Sequence, residues 1–222
     1  EPTLALATCT LIFAVLVSVP IGVMAAYRQG SLFDRVVMGF SVLGFSVPGF
    51  VIGYCLIYVF AIELGWLPVQ GYVRIGVNFW QFLERMVLPS ITLSVGFIAL
   101  ISRITRASVL EVLNEDYIRT ARAKGLPEWR VINKHALKNA MIPVVTVYGT
   151  SLIAIFGIAV QTEKVFSLPG MGSTIANAAL SQDSPVVLGL SIVVISFGAL
   201  INLIVDLSYA LIDPRIKVDS SQ

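Results

Sequence analysis

Residues 115–143 read EDYIRTARAKGLPEWRVINKHALKNAMIP, a charged, helix-prone block set between two stretches apolar enough to cross a bilayer. Glu115 and Asp116 stand where the first turn of a helix favours anions, with Asn114 just before them as the expected N-cap. Arg119, Arg122 and Lys124 follow toward the other end, where cations are favoured. Gly125 sits where a left-handed residue ends such a helix. The spacing therefore predicts a short helix over 115–124. Pro127 and Glu128 then fit the start of a second helix, reaching to about Asn139, ahead of Pro143.

Working outward, 57% of the 222 residues are hydrophobic and 13% are charged, about half the charged share of a soluble domain. Apolar runs near twenty residues recur and do not alternate, which argues for helices and against a transmembrane barrel. Five spans are expected at about 4–27, 36–61, 86–107, 141–160 and 186–212, each roughly 30–40 Å long and able to cross hydrocarbon with some tilt. The expected class is an all-α polytopic membrane bundle. Glu1-Pro2-Thr3 offers neither a methionine nor a basic leader, so the first run reads as a span of a longer chain, not a signal peptide.

The connections alternate sides. One set (28–35, 108–140 and the tail after 212), with the end of the third span, holds Arg28, Arg35, Arg103, Arg106, Arg119, Arg122, Lys124, Arg130, Lys134, Lys138, Arg215 and Lys217. The other set (61–85 and 161–185) holds Arg74, Arg85 and Lys164. This asymmetry places the first set in the cytoplasm, the visible N-terminus outside and the C-terminus inside. Trp66, Tyr72, Phe79 and Trp80 suit an interfacial belt in the outer loop; a substrate-stacking role is the other reading.

Within the spans, Pro20, Pro48-Gly49 and Pro89 perturb helices, and Gly49-Phe-Val-Ile-Gly53 is a GxxxG pattern that lets helices approach closely. Packing accounts for these; the sharper reading is a kink at Pro48-Gly49 where a gate bends. Asp206 is the acid that sits clearly within a span, with Asn202 and Tyr209 on its face, so a satisfied network competes with a functional role. Cys9 and Cys55 read as small buried hydrophobes without disulfide or metal spacing, and His135 has no ligand-spaced companion. There is no GxxxxGK[ST] loop, GxSxG or HExxH. A transporter using ATP would need another chain to bind it. An ion-coupled secondary transporter or channel would need intramembrane acids or rings of charge, for which Asp206 is poor support.

The polar block is then a helix, a glycine turn and a second helix projecting from the membrane. Ala121 and Ala123 would allow a partner surface close, and Tyr117, Arg119 and Arg122 are anchor types. An amphipathic hairpin lying on the inner leaflet is the competing reading.

The block closely resembles the cytoplasmic EAA loop of membrane subunits in bacterial ABC importers. Its first part, and the later His-Ala-Leu-Lys-Asn-Ala-Met-Ile-Pro, are similar to the dipeptide/oligopeptide permeases. The resemblance continues in Leu64-Gly-Trp-Leu-Pro68, Glu163-Lys-Val-Phe-Ser-Leu-Pro-Gly-Met-Gly172, Asn202-Leu-Ile-Val-Asp-Leu-Ser-Tyr209 and Asp213-Pro-Arg215. It covers essentially the whole chain and fits the B-type subunit best.

The resemblance implies a type I importer transmembrane domain over 1–222, N-terminally incomplete by one span and an outer segment, with a coupling loop at 108–140. It implies no cofactor or metal of its own. Its implied partners are cytoplasmic ABC ATPase subunits, a second homologous permease, and a periplasmic or lipid-anchored substrate-binding protein. The implied cargo is a di- or oligopeptide, with glutathione or nickel complexes as alternatives, and the location is the bacterial inner membrane. The ATPase-coupling residues carried over are Glu115, Asp116, Tyr117, Arg119, Thr120, Ala121, Arg122, Ala123, Lys124 and Gly125. Arg119 and Thr120 replace the glutamate and first alanine that name the general motif, so a salt bridge made by that glutamate does not transfer. Pro169-Gly170 is expected to form a type II turn.

Overall fold

A computed structural model describes residues 1–212, apart from a few side chains that include those of Asp206 and Tyr209. The expected Asn202–Asp206–Tyr209 network and the stretch 213–222 lie outside the described residues.

The described chain is helical: α1 (Pro2–Tyr27), α2 (Leu32–Ser46), α3 (Gly49–Leu56, continued by a π-helical segment to Glu63), α4 (Phe79–Leu113), α5 (Asp116–Ala123), α6 (Glu128–Arg130, continued by a π-helical segment Val131–Ala136), α7 (Leu137–Val165), α8 (Met171–Leu180) and α9 (Ser184–Ile212). Pro2–Tyr27, Phe79–Leu113 and Ser184–Ile204 are each long and apolar enough to cross a membrane, and two bent pairs raise the count to as many as five.

Helix α4 is the post around which the bundle is built. Its 35 residues extend about 50 Å, longer than a hydrocarbon core, so the helix projects beyond it. Asn78 starts it by accepting from the N–H groups of Trp80 and Gln81, both at 3.1 Å. Small residues set the approach of its neighbours. A Cβ on Gly22 of α1 would lie 2.7 Å from the Ser102 carbonyl oxygen, so only a glycine lets α1 seat on α4 here. Leu6, Leu11, Met86, Ile101, Val144 and Ile155 fill the shared core of α1, α4 and α7.

The second expected span is broken. Val47 is extended, as the residue before a proline must be, and α2 and α3 meet at 106° across Val47-Pro48. The GxxxG pattern is used at one end only. Gly53 is buried, and a Cβ there would press on the Thr92 and Val165 methyl groups at 3.2 Å, whereas Gly49 has nothing within 4 Å. The expected break before the fourth span is absent: Pro143 lies inside α7, which starts at Leu137 and bends by 53° between Leu152 and Ala154. Cys9 is half-buried, but Cys55 is exposed, contrary to expectation.

Two polar knots pin the ends of the bundle. At one end Arg106 of α4 forks onto Asp34 of α2, with Nη2 donating to Oδ2 at 2.7 Å and Nε to Oδ1, while Asp34 also accepts from the Gly30 N–H at 3.0 Å. Asp34 is 4% exposed. At the far end the wholly buried Glu163 of α7 accepts from the Thr3 hydroxyl at 2.6 Å and from the Ser173 N–H at 2.7 Å, joining α7 to α1 and α8. Thr3 Oγ1 in turn accepts from the Met171 N–H at 2.9 Å. The type II turn expected at Pro169-Gly170 does not form: Gly170 has φ −91°, and the left-handed residue nearby is Ser167 at φ 52°. Glycine is required at 170 for another reason, since a Cβ there would fall 2.0 Å from Glu163 Oε1.

The aromatic residues of the 64–80 region divide. Trp66 and Trp80 are 69% and 73% exposed, and Tyr72 packs edge-on against Phe82 with centroids 6.2 Å apart.

Candidate functional site: a hairpin at the end of α4

The polar block folds as a hairpin carried between the ends of α4 and α7. Its start differs by one residue from expectation. Asn114 closes α4 and donates from Nδ2 to the Leu110 carbonyl at 2.9 Å, and Glu115, extended at φ −68° and ψ 148°, is the residue that precedes α5. Asp116 opens α5 and Arg122 lies in its last turn, the charge order that the helix dipole favours.

The stop is the one expected. Gly125 is left-handed, φ +76°, and its N–H donates to the Arg122 carbonyl at 2.9 Å, while the Leu126 N–H donates to the Ala121 carbonyl at 3.4 Å. These two bonds are the Schellman pair, which satisfies carbonyls a helix end leaves open. Nothing lies within 4 Å of a Cβ built on Gly125, so the backbone angle, not crowding, calls for glycine. Leu126 completes the motif by packing on a small core of Ile118, Ala121, Val131 and Ala136, with Val112 and Leu113 of α4.

That core settles which residues face out. Ile118 is 0% exposed and Ala121 7%. Ala121 therefore packs within the hairpin, and the close approach expected at both alanines is left to Ala123. Glu115, Asp116, Tyr117, Arg119, Thr120, Arg122, Ala123, Lys124 and Gly125 are exposed. Since Ile118 and Ala121 are already buried among the hairpin's own residues, α5 itself offers no free aliphatic stripe to sink into a leaflet.

Polar contacts fix the hairpin's shape. Arg122 grips Glu128 across the turn, Nη2 to Oε1 at 2.6 Å and Nε to Oε2 at 3.2 Å, and the Glu128 carboxylate raises the guanidinium's already high pKa. Asn139 of α7 donates to the Tyr117 hydroxyl at 2.9 Å, tying α5 to the base of α7. The Arg119–Asp116 pair, 3.5 Å apart and open to solvent, contributes little. Below the hairpin the Ser108 hydroxyl of α4 donates to the Ala140 carbonyl of α7 at 2.8 Å. A push on α5 thus meets α4 and α7 together through a packed core and two directional bonds. Ile118 and Leu126 carry no role in the sequence reading, and Glu128 and Asn139 enter it only as the bounds of the second helix. The Ile118–Ala121 spacing and a leucine directly after Gly125 are the signals that point to this core.

Described helices long and apolar enough to cross a membrane, with a polar hairpin mounted between two of them, define a polytopic membrane protein. Its fold matches, with a TM-score of 0.75 and 18% identity over 96% of this chain and 93% of the other, a chain of the MetNI methionine ABC transporter in inward-facing conformations. Over residues 18–218 the chain belongs to the binding-protein-dependent transport system inner membrane component family. It is 49% identical over 217 residues to a probable peptide ABC transporter permease protein of Sinorhizobium fredii, spanning 98% of this chain and 69% of that one. It is 41% identical over 240 residues to the dipeptide transport system permease protein DppB of Escherichia coli, 98% and 71%. With the oligopeptide transport system permease protein OppB of Haemophilus influenzae it shares 43% identity over 205 residues, 92% and 65%. A secondary transporter working alone is not favoured.

Proposed function

We propose that this chain is the permease subunit of an ATP-driven importer of di- or oligopeptides across a bacterial inner membrane. The observation that carries the reading is that relatives at 41–49% identity over nearly the whole chain are named for peptide or dipeptide transport. The chain itself holds no nucleotide site in this reading: cytoplasmic ABC ATPase subunits hydrolyse ATP, a second homologous permease completes the pathway, and a periplasmic or lipid-anchored binding protein delivers cargo. The N-terminus seen here lies outside, and the hairpin and C-terminus lie in the cytoplasm. Residues 1–222 form the transmembrane domain and 108–140 its coupling loop.

Within that loop Glu115, Asp116, Tyr117, Arg119, Thr120, Arg122, Ala123 and Lys124 present the surface to the ATPase. Ala121 and Gly125 hold the shape from within. When the ATPase pair closes, a rigid α5 hands the displacement to α4 and α7, and the bundle switches between its two facings. Glutathione and nickel complexes are alternative cargo for the same machinery. The test is uptake into proteoliposomes containing the assembled transporter and its binding protein, with ATP inside. Labelled di- and tripeptides should accumulate, while glutathione and nickel complexes should not. Accumulation of either of the latter without peptide would change the cargo assignment.

A further inference from the structure

From Leu4 to Met24 every fourth residue of α1 is exposed, Ile12 and Leu16 among them, and the stripe ends at Tyr27. That spacing is one face of the helix. The buried face carries small residues instead, Ala7, Ala14, Ser18, Gly22 and Ala25. Small residues mark where helices approach closely in a membrane, so the large side chains of the outer stripe suit fluid acyl chains rather than another helix. The Thr8 hydroxyl, on this stripe, donates to the Leu4 carbonyl at 2.8 Å and so is not left unpaired in hydrocarbon.

The stripe runs into a cleft of about 270 Å³, walled by Val23, Met24 and Tyr27 of α1 and by Trp129 and Ile132 of α6 and its continuation. Tyr27 is 59% exposed and Trp129 61%, two large rings open to the surroundings where the apolar span of α1 ends. Amphipathic rings at a span's end belong at the headgroup level of a bilayer. Tyr27 is also on the wall of a second cleft, of about 310 Å³, shared with Gln29, Asn114, Arg122 and Glu128. Crossing one tyrosine thus changes apolar walls for polar ones, as passing along a phospholipid changes chain for head. The charge beside these clefts is positive. Arg130 holds its guanidinium 5.2 Å from the centre of the Trp129 ring, and Arg28 follows Tyr27 in the chain. Among the described residues neither arginine is in a salt bridge, whereas Arg122 is neutralised by Glu128.

We infer that this double cleft holds one anionic glycerophospholipid from the leaflet at the hairpin end. An acyl chain lies along Leu16 and Met24 into the first cleft, the glycerol passes Tyr27, and the phosphate meets Arg130 and Arg28. Hydroxyls of the headgroup reach the amides of Gln29 and Asn114. Basic pockets beside spans are where anionic headgroups bind. The lipid joins α6 of the hairpin to α1, in addition to the protein contacts that join the hairpin to α4 and α7. Naming this the inner leaflet rests on the orientation proposed above; the cargo plays no part.

The test uses the assembled transporter, with its ATPase subunits and second permease, in vesicles of phosphatidylethanolamine with a minority of phosphatidylglycerol. p-Benzoylphenylalanine at Tyr27 keeps an aromatic wall, and photolysis followed by mass spectrometry identifies what lies in the cleft. The adduct should contain phosphatidylglycerol about fivefold or more above its share of the vesicle lipid, the worth of one arginine at an anionic head. The same photoreactive residue at Leu16, midway along the stripe, should return the lipids in their bulk proportion. Arg28→Gln with Arg130→Gln should bring the Tyr27 adduct down to that proportion, and Arg28→Lys with Arg130→Lys should keep the enrichment. Bulk proportion at Tyr27 in the parent means ordinary annular lipid and overturns the site. An adduct to the second permease or to an ATPase subunit also overturns it, since protein would then cover the face. Orientation is read separately, by a membrane-impermeant maleimide on Arg35→Cys in intact spheroplasts, with Cys9→Ser and Cys55→Ser as background. No labelling before lysis is expected; labelling of intact spheroplasts overturns the orientation, and an enriched Tyr27 adduct would then place the lipid in the outer leaflet.

Discussion

Arg122 at the end of α5 and Glu128 at the start of α6 clasp each other across the Gly125 turn, with Nη2 and Oε1 2.6 Å apart. The contact spans the turn outside the hairpin's apolar core. Both side chains are more than a third exposed, at 41% and 36%, so solvent screens the pair and its contribution is about 1 kcal/mol or less. A double-mutant cycle of Arg122→Ala and Glu128→Ala, read by thermal unfolding of the purified complex, should return a coupling energy in that range. A coupling of zero would mean that the turn is held by its backbone and core alone.

The core is the stronger element. Ile118→Ala removes a fully buried side chain and should cost about 2–4 kcal/mol locally, against about 1 for Ile118→Val. The expected result is faster amide exchange over 116–126 and loss of copurifying ATPase subunits, with insertion into the membrane unchanged. Equal exchange in the two variants would contradict the packing described here.

Asp34 and Arg106 form a largely buried pair. Asp34→Ala strands a guanidinium among helix ends and should destabilise the bundle by about 3 kcal/mol or more, whereas joining it with Arg106→Met should recover much of the loss. Melting of the detergent-solubilised protein decides between them. A double variant no better than Asp34→Ala would show that the cost comes from the Asp34 site itself.

At the far end, Gly170→Ala drives a methyl group into the Glu163 carboxylate, which is held by Thr3 and Ser173. A loss of about 1–3 kcal/mol is expected from overpacking. Gly49→Ala, where a Cβ meets nothing within 4 Å, should be tolerated, and comparing the two melting temperatures checks the distinction.

Much of this architecture is written in local sequence. Gly125 announces its left-handed turn because few other residues adopt φ +76° at low cost. The apolar runs locate the three long helices, although α4 outruns its expected span at both ends and the second expected span is broken, and the Asp116-to-Arg122 charge order suits the direction of α5. What stayed hidden depends on contacts between distant segments. Ala121 looked available because a small residue on a polar helix carries no mark of the Val131 and Ala136 surface that covers it. Glu163 read as part of a motif in an outer loop, since nothing local says that Thr3, 160 residues away, and Ser173 would surround it. Gly170 looked like a turn residue for the same reason. Pro143 looked like a helix boundary, yet α7 continues through it. The cleft beside Tyr27, walled by α1 and by the second helix of the hairpin, has no signature in any single stretch.

In the proposed importer, α5 and its glycine turn carry motion between the ATPase and the bundle. The most direct measurement is ATP hydrolysis and peptide uptake by the reconstituted complex carrying Gly125→Val. Valine in the left-handed region costs about 1 kcal/mol or more and should displace α6 from α5. The complex should insert and hydrolyse ATP, but peptide-loaded binding protein should no longer stimulate that hydrolysis, and uptake should fall with it. Stimulation and uptake equal to those of the parent would contradict the account.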